Sequence, residues 1–271
     1  MFWIPEFADA VLASHGGAAS NDATTEFLQA LRKGALPDPA ADWPIDLVVD
    51  EPEHGRTTDR AAVVELLSSS AAWLRKTNAE VELIDSFSVG DRGVVEAEIV
   101  IDHPERGGER TLLPVVALAE SHGGSATVRL YYSHWPLSGV NRLRPAILPA
   151  GAALPDDSVA VYFRSLAAGD AAGLVTAFAP GGTFREPSGG LFLHHGTEEI
   201  GPFFEGFFGY VGGIGLDICA VTDDGTHCAV EYICTNWGAN RLVPQAGLGV
   251  YQRGPDGRLT AVRLYDDVVG P

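Results

Sequence analysis

The sequence predicts an α+β protein in which one domain design is used twice. Three observations predict it: a near-constant internal offset, a fixed order of helical and then strand periods, and a proline-rich seam. "TTEFLQALRKG" (24–34) lies over "VAVYFRSLAAG" (159–169) at an offset of 135, which sets Phe27 over Tyr162 and Gly34 over Gly169. The same offset carries Glu51-Pro52 of "LVVDEPEHG" onto Glu186-Pro187 of "TFREPSGG" (186 minus 51 is 135). Beyond these pairs "EHGRTTDRAAVVELL" meets "HHGTEEIGPFFEGFF" once the second copy gains a few residues, and "VVEAEIVIDHP" meets "AVEYICTNWG". Finally "TVRLYYSHWP" meets "AVRLYDDVVGP" at an offset of 134 (263 minus 129). An offset held over so much of the chain means two copies of one domain.

Each element follows from its period. Val159, Tyr162, Phe163 and Leu166 form an i, i+3, i+4, i+7 stripe, which predicts a helix, and "AAGLVTAFAP" (171–180) continues as a second, shorter one. A short strand is expected at 182–186. The third helix, "TEEIGPFFEGFFGY", opens on Thr197, Glu198 and Glu199, which suit an N-terminal turn. Four β-rich segments close the copy: "IGLDICAVT", "HCAVEYICTNW", "RLVPQAGLGVYQ" and "RLTAVRLYDD". The domains are therefore 23–136 and 156–271, joined by a linker at 137–155 within a stretch that carries four prolines (135–155) and keeps no period. Residues 1–22 have no counterpart in the second copy. Pro5 and Gly16-Gly17 bracket a short extra helix there, anchored by Phe2, Trp3 and Phe7, which either packs onto the body or covers a pocket.

Composition narrows the function. The chain has 271 residues, 46% of them apolar, enough for a sizeable core. Its formal charge of -18 repels phosphate backbones and anionic lipid headgroups, which argues against nucleic-acid and membrane partners. Cys219, Cys228 and Cys234 lack the CxxC spacing of metal or redox sites and read as small core residues of a reducing compartment. A hairpin turned at Asp224-Gly225 would set Cys228 opposite Val221 and away from Cys219. "MFWIPEFADAVLASHGG" has no basic n-region and only a short apolar segment, so a cytoplasmic protein is expected. Lys33 and Lys76 are the only lysines, which excludes Schiff-base chemistry in the second copy. His194, His195 and His227 lack metal-ligand spacing, and no metal is expected.

The order of elements, the "YFRSLAAGDAAGLVTAFAPGGTFREPSGG" block, the "HG" before the third helix and the closing "GRLTAVRLYDD" resemble the SnoaL-like and ketosteroid isomerase families. These belong to the superfamily named after nuclear transport factor 2. The resemblance covers nearly all of 156–269 and, more weakly, 23–136. It implies two fused cone-shaped α+β barrels, each with three N-terminal helices on a curved, mostly antiparallel sheet around a deep apolar pocket. It also implies that the two copies pack as an internal version of the family's homodimer, giving a monomeric chain.

In ketosteroid isomerases the acid before this proline is the general base, the place Glu186 occupies here, and a tyrosine at the position of Tyr162 donates to the developing oxyanion. A carboxylate in an apolar pocket has its charged form disfavoured, which raises its pKa toward the working pH and makes it a better proton acceptor. Two roles are open to Glu186, a turn or capping acid and a proton acceptor. Tyr162 is equally open to a buried core role. His195, like His54 in the first copy, precedes a helix and is either an end-of-helix residue or a second acid or base. Phe184, Phe204 and Trp237 are expected to line the pocket. Arg263 and Arg129 are expected to pair with Glu231 and Glu96, or Arg263 to anchor the substrate.

The sequence departs from the families as well. The acid is Glu instead of Asp; Gly249 stands where the isomerases carry their second oxyanion donor; Leu264 falls where limonene epoxide hydrolase has its strand aspartate. The first copy keeps Glu51 and His54 but has Phe27, which packs like tyrosine and cannot donate, so it reads as a degenerate site. The expected function is cofactor-free acid–base chemistry, isomerisation or cyclisation, on a small apolar metabolite such as a polyketide or terpenoid. A non-catalytic binding protein and an epoxide hydrolase/cyclase of polyether type are the rivals.

Overall fold

The computed structural model describes residues 3–16, 23–103 and 107–270. Phe2 and Gly17, two of the expected markers of the extension, lie outside the described residues. The chain divides into two compact units, Met1–Tyr132 and Ser133–Pro271.

The first unit contains α1 (Phe7–Ser14), α2 (Ala23–Arg32), β1 (Asp46–Glu51), β2 (Gly55–Thr57), α3 (Arg60–Lys76), β3 (Glu80–Val89), β4 (Arg92–His103), β5 (Glu109–His122) and β6 (Ser125–Tyr131). Its six strands run in the order β2-β1-β6-β5-β4-β3. All neighbours are antiparallel except β1 and β6. The second unit contains α4 (Trp135–Ser138), α5 (Ser158–Ala168), α6 (Ala171–Thr176), β7 (Phe178–Arg185), β8 (Leu193–His195), α7 (Gly196–Val211), β9 (Ile214–Asp223), β10 (His227–Trp237), β11 (Asn240–Arg253) and β12 (Leu259–Asp266). Its order, β8-β7-β12-β11-β10-β9, repeats the first with the same single parallel pair, β7 and β12. The α+β class and its duplication are as the sequence predicts.

Local chemistry sets the element ends. The Asp157 carboxylate accepts from Val159 N (2.8 Å) to open α5, and Asp170 accepts from Gly173 N (2.9 Å) to open α6. Gly169 ends α5 in the left-handed region (φ 67°), as the stop signal after "SLAA" requires. Asp59 opens α3 in the same way as Asp157, accepting from Ala62 N (3.0 Å).

Several details differ from the expectation. Strand β7 begins at Phe178 and α6 stops at Thr176, because Phe178 already pairs with Leu259 of β12. The β9–β10 turn is wider than two residues: Asp223 accepts from Gly225 N, and Asp224 accepts from Thr226 N and His227 N. Cys228 consequently faces Asp223, and Val221 faces Val230. The three cysteines are free thiols. In the first unit the counterpart of α6 is an irregular segment, where Pro37, Pro39 and Pro44 provide no backbone N–H. Residues 137–155, expected as a linker, lie with the second unit and are hydrogen-bonded to it. Asn141 Nδ2 donates to Val268 O (3.0 Å), Ala246 N to Arg144 O (2.9 Å) and Gly151 N to Ile218 O (2.8 Å).

The extra helix α1 packs on β3, β4 and β5 of the first unit, burying Phe7, Ala8, Ala10, Val11 and Ser14. Trp3 and Ile4 are buried ahead of it, and Ser14 Oγ lies 2.7 Å from Ser121 Oγ. The described part of the extension packs onto the first unit, and its Trp3 and Pro5 also border a small hollow there. The approach is close enough that a side chain on Gly93 would overlap the Ala10 carbonyl.

Candidate active site

The second unit encloses a cavity of about 180 Å³ between α5, α7 and the sheet. Among its lining residues are Tyr162 of α5, Tyr232 of β10, Tyr251 of β11 and the half-buried Asp266 of β12. Strand alternation puts them together: Tyr232 and Cys234 are two apart on β10, and Leu264 and Asp266 two apart on β12, so each pair shares a face. Aromatic rings line the sides. Phe184 packs on Phe204 (centroids 4.9 Å) and Phe203 (5.6 Å), and Phe207 meets Trp237 (5.9 Å). Helical spacing explains the row, since Phe203, Phe204 and Phe207 lie at i, i+1 and i+4 on α7.

Two hydrogen-bonded acids face this cavity. Glu186, at the end of β7, meets His194 Nε2 at 2.8 Å, and the His194 ring packs on Phe203 (4.2 Å) and Phe184 (5.8 Å). The strand register decides which histidine arrives: His194 pairs with Phe184, whereas His195 pairs with Thr183 and points to the other face. Asp266 is the second acid. It accepts from Tyr232 Oη at 2.7 Å, and burial, only partly offset by that bond, pushes its carboxyl up to about 6. The neighbouring Asp267 adds to the rise.

Burial raises the phenols of Tyr162, Tyr232 and Tyr251 above the usual tyrosine range, so all three remain protonated donors. Burial also pushes the Cys234 thiol up to about 12, which leaves it a packing residue and not a nucleophile.

Of the expected site residues, the cavity brings together Glu186, Tyr162, Phe184, Phe204 and Trp237. His195 is exposed and outside it; its backbone N–H is taken by Glu199 Oε2 (2.7 Å), an end-of-helix arrangement. Arg263 is also outside the lining and donates to Gln252 Oε1 at 3.4 Å, while Arg129 donates to Glu120 Oε2 at 3.2 Å. In the first unit, Glu51 is fully buried. It accepts from the backbone N–H groups of Glu53 and His54, from His54 Nδ1 (2.7 Å) and from Tyr132 Oη (3.4 Å). Phe27 is half-buried against Trp43 (5.4 Å). The hollow found in that unit, about 50 Å³ between the N-terminal segment, α2 and α3, touches none of Glu51, Phe27 and His54.

Sequence reasoning missed Asp266, Tyr232, Tyr251 and His194. Alternation carried the signal for the first three, since each lies on the inward parity of its strand.

Residues 159–262 match the profile of the SnoaL-like domain family. The second unit is SnoaL-like. No curated protein sequence matches the chain. Among solved structures, a putative polyketide cyclase from Sinorhizobium meliloti is 20% identical, covering 41% of this chain and 94% of its own, at a TM-score of 0.35. A hypothetical protein with a ketosteroid isomerase-like fold from Catenulispora acidiphila, in complex with trimethylamine, is 16% identical over 42% and 88%, at 0.36. A SnoaL-like protein of unknown function from Burkholderia thailandensis is 17% identical over 40% and 90%, at 0.34. Alignments this weak carry no argument about chemistry. What the SnoaL-like unit can do follows from its own cavity: an apolar chamber holding one acid poised near neutrality, a second acid on a histidine, and phenol donors.

No helix among the described residues is long and apolar enough to cross a membrane. In the first unit, Asp91, Glu120 and His122 bring donor atoms within 4.8 Å of one another. Glu120 there is already ion-paired to Arg92 (3.0 Å) and Arg129 (3.2 Å), which does not suit a metal ligand.

Proposed function

We propose that the SnoaL-like unit is a cofactor-independent acid–base enzyme, an isomerase or cyclase acting on a small, largely apolar carbonyl compound of polyketide or terpenoid type. One observation carries the reading: two hydrogen-bonded acids, Glu186 with His194 and Asp266 with Tyr232, face a single apolar cavity. A reaction that moves a proton between two atoms of one molecule needs an acceptor and a donor in the same water-poor space. Asp266 is the acceptor, because an acid whose pKa lies near working pH combines ionisation with basicity. Glu186 and His194 hold the proton at the outer end, where Glu186 keeps about a quarter of its side chain exposed. The aromatic sides hold the apolar body of the substrate.

The test needs no natural substrate. Acetophenone in deuterium oxide should exchange its α-hydrogens faster with the protein than with buffer, and Asp266→Asn should abolish the excess. Exchange at the buffer rate with the wild-type protein, together with tight unchanged binding of the ketone, would favour a binding protein and sink the enzymatic reading. We also propose that the chain is a monomer, each unit taking the place of a second subunit. Light scattering should return 28.6 kDa, and a mass of twice that overturns it.

A further inference from the structure

The cavity has one wall that the repeat does not supply. Asn141 is among the lining residues, yet it lies ahead of 159–262, the residues that match the SnoaL-like profile, in the stretch expected as a linker. Hydrogen bonds hold this segment on the second unit. Asn141 Nδ2 donates to Val268 O (3.0 Å), Arg142 N to Asp267 Oδ2 (2.8 Å) and Ala246 N to Arg144 O (2.9 Å). Pro145 then bridges Gln245, whose side-chain amide pairs with Val269 in both directions (2.8 and 3.0 Å). A segment held at so many points belongs to the wall of the cavity.

Strand register places Asn141 at the same end of the sheet as the two acids. Strands β7 and β12 run parallel with Arg185 beside Arg263, so Glu186 and Asp266 lie toward one end. The Trp237 and Asn240 pair, where β10 turns into β11, lies at that end too, since Gly247 of β11 pairs with Asp266. Gly270 seals the corner: a Cβ there would stand 2.8 Å from the Trp237 ring. Asn141 is exposed to solvent as well as lining the cavity, which puts its amide at the opening.

The amide has capacity left over. Its orientation follows from Val268: turned the other way, it would set Oδ1 against a carbonyl oxygen, acceptor against acceptor. One N–H is thereby committed, and among the described residues the second N–H and Oδ1 make no hydrogen bond. A hydroxyl both donates and accepts, so a single hydroxyl can use both. Charged groups fit worse. No lysine or arginine lines the cavity, so a carboxylate or phosphate would join Glu186 and Asp266 without a counter-charge. An ammonium has no lone pair to accept the N–H.

We infer that Asn141 is a specificity-determining residue that binds a hydroxyl group on the outer end of the ligand. The inference deepens the acid–base reading and takes the apolar carbonyl body of the ligand from it. The aromatic rings and Asp266 serve every such body alike. The amide tells a hydroxyl from a methyl of the same size.

The experiment uses the full chain and two matched series, the three ring-hydroxylated acetophenones and the three ring-methylated ones, at about pH 6, where a phenol stays neutral. Titration gives each dissociation constant, and the quantity read is the preference for hydroxyl over methyl at each ring position. For at least one position, Asn141→Leu should lower this preference about three- to tenfold. Asn141→Asp keeps an oxygen acceptor on a side chain of the same size and should lower it less. Each preference is a ratio within one variant, so a general loosening of the wall cancels.

A preference unchanged by Asn141→Leu at all three positions overturns the inference. So does an equal fall in Asn141→Leu and Asn141→Asp, which would assign the effect to displacement of the segment, and so does a failure of the wild-type protein to bind any of the six ketones. The two readings fail separately. Loss of α-hydrogen exchange in Asp266→Asn with the preference unchanged in Asn141→Leu removes only the inference. An Asn141-dependent preference with no exchange by wild type removes only the enzymatic reading.

Discussion

The same sheet is finished in opposite ways in the two units. Tyr232 corresponds to Ala97 (232 minus 97 is 135), and the pairings Cys228↔Tyr251 and Gly93↔Ala119 set Tyr251 against Ala119. Asp266 corresponds to Tyr132 (266 minus 132 is 134), whose hydroxyl turns to Glu51. Where the second sheet carries phenols and an acid around an open chamber, the first carries alanines and a glycine, and α1 lies on them. The two Glu-Pro acids follow suit. Glu51 is fully buried and held by two backbone amides, whereas Glu186 faces the cavity with His194 on its carboxylate. This fold therefore has an interior that stays open as a cavity where the lining is large and polar-tipped and is covered by the chain's own helix where the lining is small. One acid position then serves as a turn residue in one unit and is available to chemistry in the other.

The contrast between the units breaks most easily at Asp266. Asp266→Asn should lower kcat/KM for α-hydrogen exchange by about 10² to 10⁴, the usual worth of a positioned base. Tyr132→Phe, the matching change in the first unit, should alter the rate by less than about threefold, within the coupling of roughly 0.6 kcal/mol allowed between distant sites. Because the acceptor must be ionised, kcat/KM for the wild-type protein should rise with pH and level off above about 6. A profile flat from pH 4 to 8 would remove Asp266 from that role.

The same residue has an opposite effect on stability. Its folded pKa is raised, so its contribution is fully present below the unfolded value of 3.8 and is lost as pH rises through about 6. A shift of about two units corresponds to at most about 3 kcal/mol. Asp266→Asn should therefore be more stable than wild type at pH 8 by up to about that amount, with the gap closing by pH 4. Chemical denaturation of both proteins at the two pH values measures it, and a gap independent of pH contradicts the assignment.

Glu51→Gln and Glu186→Gln should behave as mirror images. The first removes the charge from a fully enclosed carboxylate held by backbone amides and His54, and should cost about 1 to 3 kcal/mol of stability while leaving exchange within about threefold. The second should slow exchange and barely change the denaturation midpoint. If Glu51→Gln is the inactive variant, the working cavity has been placed in the wrong unit. The smallest effect on exchange is expected where α1 meets β4: Gly93→Ala pushes Ala10 of α1 off the strand and should cost about 1 to 3 kcal/mol of stability, the usual range of overpacking, with acetophenone binding unchanged.

Strands β7 and β9 to β12 are legible in the sequence because alternation and turn residues act locally, while the three-residue β8 is not: β10 ends at the residues expected of "HCAVEYICTNW" and β9 within one residue of "IGLDICAVT". The β9–β10 register is not legible, because it depends on which aspartate oxygens capture which amides in the turn. At the site, the Glu-Pro acid and the helix tyrosine can be picked out. The choice of His194 over His195 cannot, since it depends on how the short turn Gly190–Phe192 sets the parity of β8 against β7. Asp266 escapes a count that stops at Leu264, one inward position too early. That α1 fills the first unit is written in Gly93, Ala97 and Ala119, but small residues announce an occupant only once the helix is seen on them.

Asp267 decides where this polypeptide can be dissected. Its carboxylate accepts from Ser133 Oγ (3.0 Å), His134 Nδ1 (2.6 Å) and Arg142 N (2.8 Å), stitching the residues after Tyr132 to the end of the last strand. Asp267 is 5% exposed in the full chain, and a fragment begun at residue 156, where the repeat itself starts, would leave its carboxyl group without these three donors. A gene cut before Ser133 keeps all of them. The working boundary of the module thus lies some twenty residues ahead of its boundary as a repeat (156 minus 133 is 23), and the proline-rich stretch between them travels with the second unit as part of its body.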